Sequence, residues 1–155
     1  GGRRVDESFE GELRQFLGRF RLAGQDVEID APRFVPLEIT ITVCVKENYF
    51  RSDVKRALLK TFSNQILPDG RKGFFHPDHL TFGQPVYLSQ LIATAMDVAG
   101  VKWVEVDQFK RWGERPRGER QAGMASMSRL EIARLANDPN APENGKIDFV
   151  MEGGV

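Results

Sequence analysis

The sequence predicts an α+β domain: a mostly antiparallel sheet with two helices packed on one face, preceded by an N-terminal helix. Two observations predict it. Stretches with a two-residue apolar period recur through the chain, and stretches with a helical period lie among them rather than in strict alternation. A third bounds it: 155 residues with 41% hydrophobic and 28% charged side chains suit one globular core.

The first element is helical. Phe9, Leu13, Phe16, Leu17 and Phe20 follow i, i+4, i+7, i+8, i+11 spacing, one face of a helix from about residue 7 to 22, with Gly24 placed to cap its end. Next, "QDVEIDAPRFVPLEITITVCVK" reads as a short strand, a bend punctuated by Pro32 and Pro36, and a long strand. In the long strand Leu37, Ile39, Ile41, Val43 and Val45 alternate with Glu38, Thr40, Thr42, Cys44 and Lys46, so one face packs and the other is polar. Residues 1–34 are expected to be a helix and short strand trailing from a preceding domain, and residues 35–155 the α+β domain itself. The opening Gly1-Gly2-Arg3-Arg4, without a methionine, reads as a piece of a longer protein.

Ser52 is the expected N-cap of the second helix, with Asp53 in its first turn and Val54, Ala57, Leu58, Thr61 and Phe62 facing inward. A loop from residue 64 to 84 contains "PDGRKG", a turn signal whose glycine suits positive φ. Ser89 is the expected cap of a third helix with Leu88, Leu91, Ile92, Ala95 and Ala99 on one side, ended by Gly100. "VKWVEVDQFKRW" reads as a strand, and "GERPRGERQAGMASMS" as a solvated loop or projecting arm because it lacks apolar periodicity. Two last strands, "RLEIARLA" and "KIDFVMEG", are joined by "NDPNAPENG", read as a rigid hairpin loop.

Composition narrows the function. With 22 basic and 22 acidic side chains the chain lacks the basic excess that nucleic acid or an anionic membrane exploits, so neither is an expected partner. No apolar run is long enough to span a bilayer, and Cys44, the single cysteine, cannot form an intrachain disulfide. A cytoplasmic site of synthesis fits this best.

Four groups could carry chemistry. His76 and His79, three apart beside Asp78, offer the ligand types of a metal site, but Pro77 disfavours the helix that would converge them and structural zinc wants four ligands. Fixing the loop is the better role, with Phe74, Phe75 and Phe82 at the core edge. Cys44 as a nucleophile would need a base beside it, and none is near in sequence. Asn137, Asp138, Asn140, Glu143 and Asn144 are oxygen ligands that could bind calcium, without the alternating spacing of a calcium-binding helix-loop-helix. Arg111, Arg115, Arg117 and Arg120 could grip phosphate, but Glu114 and Glu119 are interleaved with them, which favours a solvated loop or a protein contact. Neither a phosphate loop nor a dinucleotide fingerprint occurs.

The phrases "RLAGQDVEIDAPRFVPLEITITVCVKENYFRSDV", "LPDGRKGFFHPDHLTFGQPVYLSQL", "GVKWVEVDQFKRWG" and "LEIARLANDPNAPENG" resemble the C-terminal part of the baseplate assembly proteins, the baseplate J-like group, of contractile phage tails and tail-like injection particles. The resemblance runs from about Phe9 to the C-terminus. It departs at Ala136 and Ala141, where the family's turn carries Asp and an aromatic. The resemblance implies a non-enzymatic wedge component, without cofactor or catalytic residues, made in the bacterial cytoplasm and assembled into the particle. Its partners would be other baseplate subunits, with self-association of the full-length protein.

On that reading the His76 loop presents a surface to a neighbouring subunit. The candidate interface residues are Phe74 and Phe75, together an apolar patch if exposed, and Arg115, Arg117 and Arg120. The alternative is a metal-dependent enzyme or metal-stabilised module centred on His76, Asp78 and His79. A third reading, an RNA- or ligand-binding sheet, needs exposed sheet aromatics, for which Trp103 and Phe109 share strand parity.

Overall fold

The computed structural model describes residues 31–155, so the expected helix at 7–22, its Gly24 cap and the short strand before Pro32 lie outside the described residues. What is described is an α+β fold organised around one strand. Strand β1, Arg33–Val45, buries Val35, Leu37, Ile39, Ile41, Val43 and Val45 on one face, the two-residue period expected of it. Two helices, α1 at Arg51–Thr61 and α2 at Leu88–Met96, bury Val54, Leu58, Leu91 and Ala95 in the same core cluster.

Five more strands follow in the chain: β2 (Val86–Tyr87), β3 (Val101–Arg111), β4 (Met124–Ala125), β5 (Glu131–Arg134) and β6 (Lys146–Gly153). Antiparallel pairing accounts for the longest ladder, β1 with β3 from Leu37↔Arg111 to Val45↔Val101, and for the small β2–β4 sheet. The other edge of β1 is shared lengthwise by two strands, both parallel to it. Strand β5 pairs Arg33 through Pro36, and β6 pairs Glu38 through Val45.

That arrangement corrects the expected hairpin. Because β5 and β6 run the same way along one edge, "NDPNAPENG" connects them end to end and crosses no hairpin. The chain gains its sideways step from Asn137, held at φ 52°, and Gly145, at φ 97°. A Cβ on Gly145 would lie 2.7 Å from the Arg134 carbonyl oxygen, so only glycine lets the two backbones approach there.

Three further expectations change. Pro36 does not bend the chain: β1 runs through it, because its carbonyl accepts from Trp112 N at 2.8 Å just past the last β1–β3 pair, where its missing N–H leaves no ladder bond unmade. Ser52 and Ser89 lie inside their helices. Helix α1 is capped by Phe50, whose carbonyl accepts from Val54 N at 3.1 Å, and α2 by Tyr87, because the β2–β4 pairing carries on into a bond from Leu88 N to the Gly123 carbonyl at 2.9 Å. Ala99 lies beyond the end of α2 and is exposed.

The arginine-bearing segment after β3 is not a projecting arm. It contains a short helix α3, Glu119–Ala122, between left-handed Gly118 and Gly123, then β4, and it sinks Ala125 and Met127 into the core. The helical and strand signals there are too short to register as a period, since a turn of helix and two strand residues give no repeat to count.

Candidate functional site

In the His76 loop, Gly73 determines the local path. Its missing Cβ would sit 2.0 Å from the Ser63 carbonyl oxygen, and backbone bonds from Gly73 N to Gln65 O, Phe74 N to Thr61 O and Phe75 N to Ser63 O clamp the two segments together. This close approach drives Phe75 inward to 1% exposure, and Phe74 packs half-buried beside it with ring centroids 4.9 Å apart. Phe62 joins both, at 5.5 Å from Phe74 and 6.5 Å from Phe75, and also meets Phe149 at 5.7 Å. Phe75 is therefore a core residue, and the expected apolar patch of Phe74 with Phe75 on the surface is corrected. Phe62 and Phe149, distant in sequence from the adjacent Phe74 and Phe75, complete one aromatic cluster with them.

After Phe75 the chain makes a single 3-10 turn, Pro77–His79, with Pro77 suited to its first position. His76 caps it: Nδ1 accepts from Asp78 N at 3.1 Å. Asp78 accepts from Lys72 Nζ at 2.6 Å, and this bond first, with the ammonium charge, holds its carboxyl below the ordinary value. The imidazole rings of His76 and His79 lie with centroids 6.3 Å apart. One nitrogen of His76 and one oxygen of Asp78 are thus engaged in ordering the loop. Among the described residues no group of three or more His, Cys, Asp or Glu side chains is placed to hold a metal ion.

The 137–145 turn uses its oxygens in the same way. Asn137 Oδ1 accepts from Ile147 N at 3.1 Å, and Asp138 Oδ1 from Asn140 N at 2.9 Å. These are turn-forming bonds that orient carbonyl and carboxylate groups toward their own backbone. Cys44 lies on the polar face of β1 between Trp103 and Glu152 in the flanking strands, and is half-buried.

Charge concentrates around the segment from β3 to β5. Arg111 grips Glu131 with both guanidinium nitrogens, Nη1 to Oε2 at 2.7 Å and Nη2 to Oε1 at 2.9 Å, and Nη2 also donates to the Ser126 carbonyl at 3.1 Å. Ser128 N adds a bond to Glu131 Oε1 at 2.7 Å. The Arg111 hydrogen bonds chiefly, then Ser128, push the Glu131 carboxyl down to about 2, while the same pairing raises Arg111. This fork-to-fork pair fixes the two ends of the 111–131 segment against each other.

Of the three arginines expected at an interface, Arg117 pairs with Glu114 at 2.5 Å and Arg120 Nη1 donates to the Asp107 carbonyl at 2.9 Å. All three, Arg115 included, are exposed. Glu119, by contrast, is buried and accepts from Arg117 N at 2.6 Å, so within one segment the acidic side chain organises the turn and the basic ones face solvent.

Sequence reasoning read the outer face of β1 as polar and missed what its side chains bond to. Its middle is polar and cross-linked between strands, Lys110 to Glu38 at 2.7 Å, Thr40 to Gln108 and Thr42 to Asp107, with Lys146 paired to Asp148 within β6. Toward its far end Trp103 is 41% and Val150 47% exposed, in rows shared with Glu105 and Glu152. Trp103 and Phe109 do not share a face, although both numbers are odd. The register slips between Val106 and Gln108, so Phe109 turns inward opposite Ile39 while Trp103 faces outward opposite Cys44. A single bulge residue, Asp107, inverts the parity, and nothing in "VEVDQF" announces it.

No family model and no curated protein matches the chain. No helix among the described residues is long and apolar enough to cross a membrane.

Proposed function

We propose that this chain is a structural component of the baseplate wedge in a contractile phage tail or tail-like injection particle, acting through protein–protein contacts. The observation that carries this reading is the resemblance of four phrases spread between Arg21 and Gly145. Those phrases supply β1, the His76 loop with the start of α2, β3 and β5, the elements that build the shared core. The chemically capable side chains are engaged in holding loops: His76 as a cap, Asp78 with Lys72, Asn137 and Asp138 within their turn, Arg111 with Glu131. Such usage suits a scaffold whose work is done by shape.

On this reading the chain is made in the bacterial cytoplasm, and its partners are other baseplate subunits and further copies of itself. The contact residues that remain available are exposed: Arg115, Arg117 and Arg120 on the segment after β3, and Trp103 on the outer face of the sheet. The test is to delete the chain from a particle-producing strain and restore it as wild type or as Arg115→Glu/Arg117→Glu. Electron microscopy is expected to show sheathed tails with the wild type, none without the chain, and fewer with the double variant. Normal sheathed particles in the deletion strain would overturn the reading.

A further inference from the structure

The outer face of the sheet is polarised in charge along its strands. At the end where β3 begins, Trp103 shares a row with Cys44 and Glu152, and Glu105 shares the next with Thr42 and Val150. Glu105 and Glu152 are exposed and have no ion-pair partner among the described residues, and Lys46, just past the end of β1, offsets part of their charge. At the other end Lys110 pairs with Glu38, and its Nζ donates to the Glu114 carbonyl at 2.9 Å, which draws the segment bearing Arg115 and Arg117 to the same face. Arg115 is exposed and has no ion-pair partner among the described residues, while Arg117 pairs with Glu114. The two ends lie about 20 Å apart along β3.

We propose that this face is the interaction surface for a second copy of the chain, the two sheets lying face to face about a two-fold axis that runs across the strands. That operation turns the strands end for end, so the Glu105 and Glu152 end of each copy meets Arg115 and Arg117 of the other, and the same contact forms twice. Trp103, 41% exposed between those carboxylates, offers its ring to a guanidinium that they attract. Stacking like end on like end would oppose charges of one sign, so charge selects the antiparallel arrangement. The middle rows already have their bonds, Thr40 to Gln108 and Thr42 to Asp107, and closing over them strands neither hydroxyl. The inference deepens the baseplate reading, on which it rests for the setting in which copies meet, by naming the surface they use. Pairing is measured in solution, so a chain that does not pair and a particle that forms without the chain are separate failures.

Sedimentation velocity of the full chain over a concentration series tests it. One variant, Glu105→Arg/Glu152→Arg, makes both ends of the face basic, and another, Arg115→Glu/Arg117→Glu, makes both acidic. All four positions are exposed, and circular dichroism checks that each variant is folded. The wild type is expected to dimerise, and each variant alone to dimerise about tenfold more weakly or worse. An equimolar mixture of the two variants is expected to regain the wild-type affinity, because each altered end then meets its complement. A wild type that stays monomeric at every concentration, a dimer that either variant leaves unchanged, or a mixture no tighter than its components would overturn the proposal.

Discussion

The central sheet and the segment from Arg111 to Glu131 are built on different physics. Strand β1 is held by six inward apolar side chains and by ladders along both edges, so its stability is spread over many equivalent contacts. The 111–131 segment closes on one bidentate ion pair, the Glu119 carboxylate and a few apolar residues such as Ala125 and Met127. Distributed burial is redundant and non-directional, whereas a polar closure concentrates its effect in a few geometrically exacting bonds. The first should fail gradually with the volume removed, the second abruptly with a single atom.

The largest expected effect tests the first half of that contrast. Phe62 is fully buried and meets three other phenylalanine rings, so Phe62→Ala should lower unfolding free energy by about 4 kcal/mol, the range for large aromatic truncations in a core. Urea denaturation followed by tryptophan fluorescence measures it, and a loss under about 1 kcal/mol would show that the aromatic cluster is not the centre of the core. Gly73→Ala should cost about 3 kcal/mol, because the added Cβ meets the Ser63 carbonyl, a backbone atom that cannot turn aside. If the same denaturation series gave a near-neutral result, the clamp between residues 61–65 and 73–75 would be looser than described.

Glu131→Gln probes the second region. It keeps the shape and removes the charge from a pair of charge-assisted bonds, for an expected loss of about 2 kcal/mol at neutral pH. The pH dependence has a definite sign. The folded-state pKa of Glu131, about 2, lies below the ordinary 4.5, so its contribution is fully present above 4.5 and disappears as pH falls toward 2. Stability curves of wild type and Glu131→Gln should therefore converge over that window. Parallel curves down to pH 2 would mean that the ion pair contributes nothing to folding.

These two regions also differ in how legible they are in the sequence. Leu37 through Val45 declares a strand because a two-residue apolar period sustained over nine positions fits neither a helix face nor a loop, and Val54–Leu58–Phe62 declares a helix face by its four-residue spacing. What periodicity cannot carry is pairing: "RLEIARLA" and "KIDFVMEG" look like partners, yet each finds β1 instead, because the burial pattern fixes a strand's face and not its neighbour. The 111–131 segment was illegible because its order comes from Arg111 meeting Glu131 across twenty positions, a contact that leaves no local signature. Among the candidate site residues, the histidine cap and the solvent-facing arginines were readable from local spacing. The inward turn of Phe75 was not, since it depends on Gly73 meeting Ser63 ten residues away.

The smallest expected effect sharpens the comparison within one strand. Trp103 and Phe109 lie six residues apart in β3, and strict alternation would give them the same environment. The bulge at Asp107 instead places Phe109 in the core and leaves Trp103 exposed. Phe109→Ala should then cost about 3 kcal/mol and Trp103→Ser about 0.5 kcal/mol or less. Equal losses would mean that the register does not slip. The slip is held from outside the strand: Arg120 of α3 donates to the Asp107 carbonyl while the Asp107 carboxylate accepts from the Thr42 hydroxyl of β1. The extra residue is thus satisfied on both sides, and across it Phe109 turns into the core while Trp103 stays on the outer face.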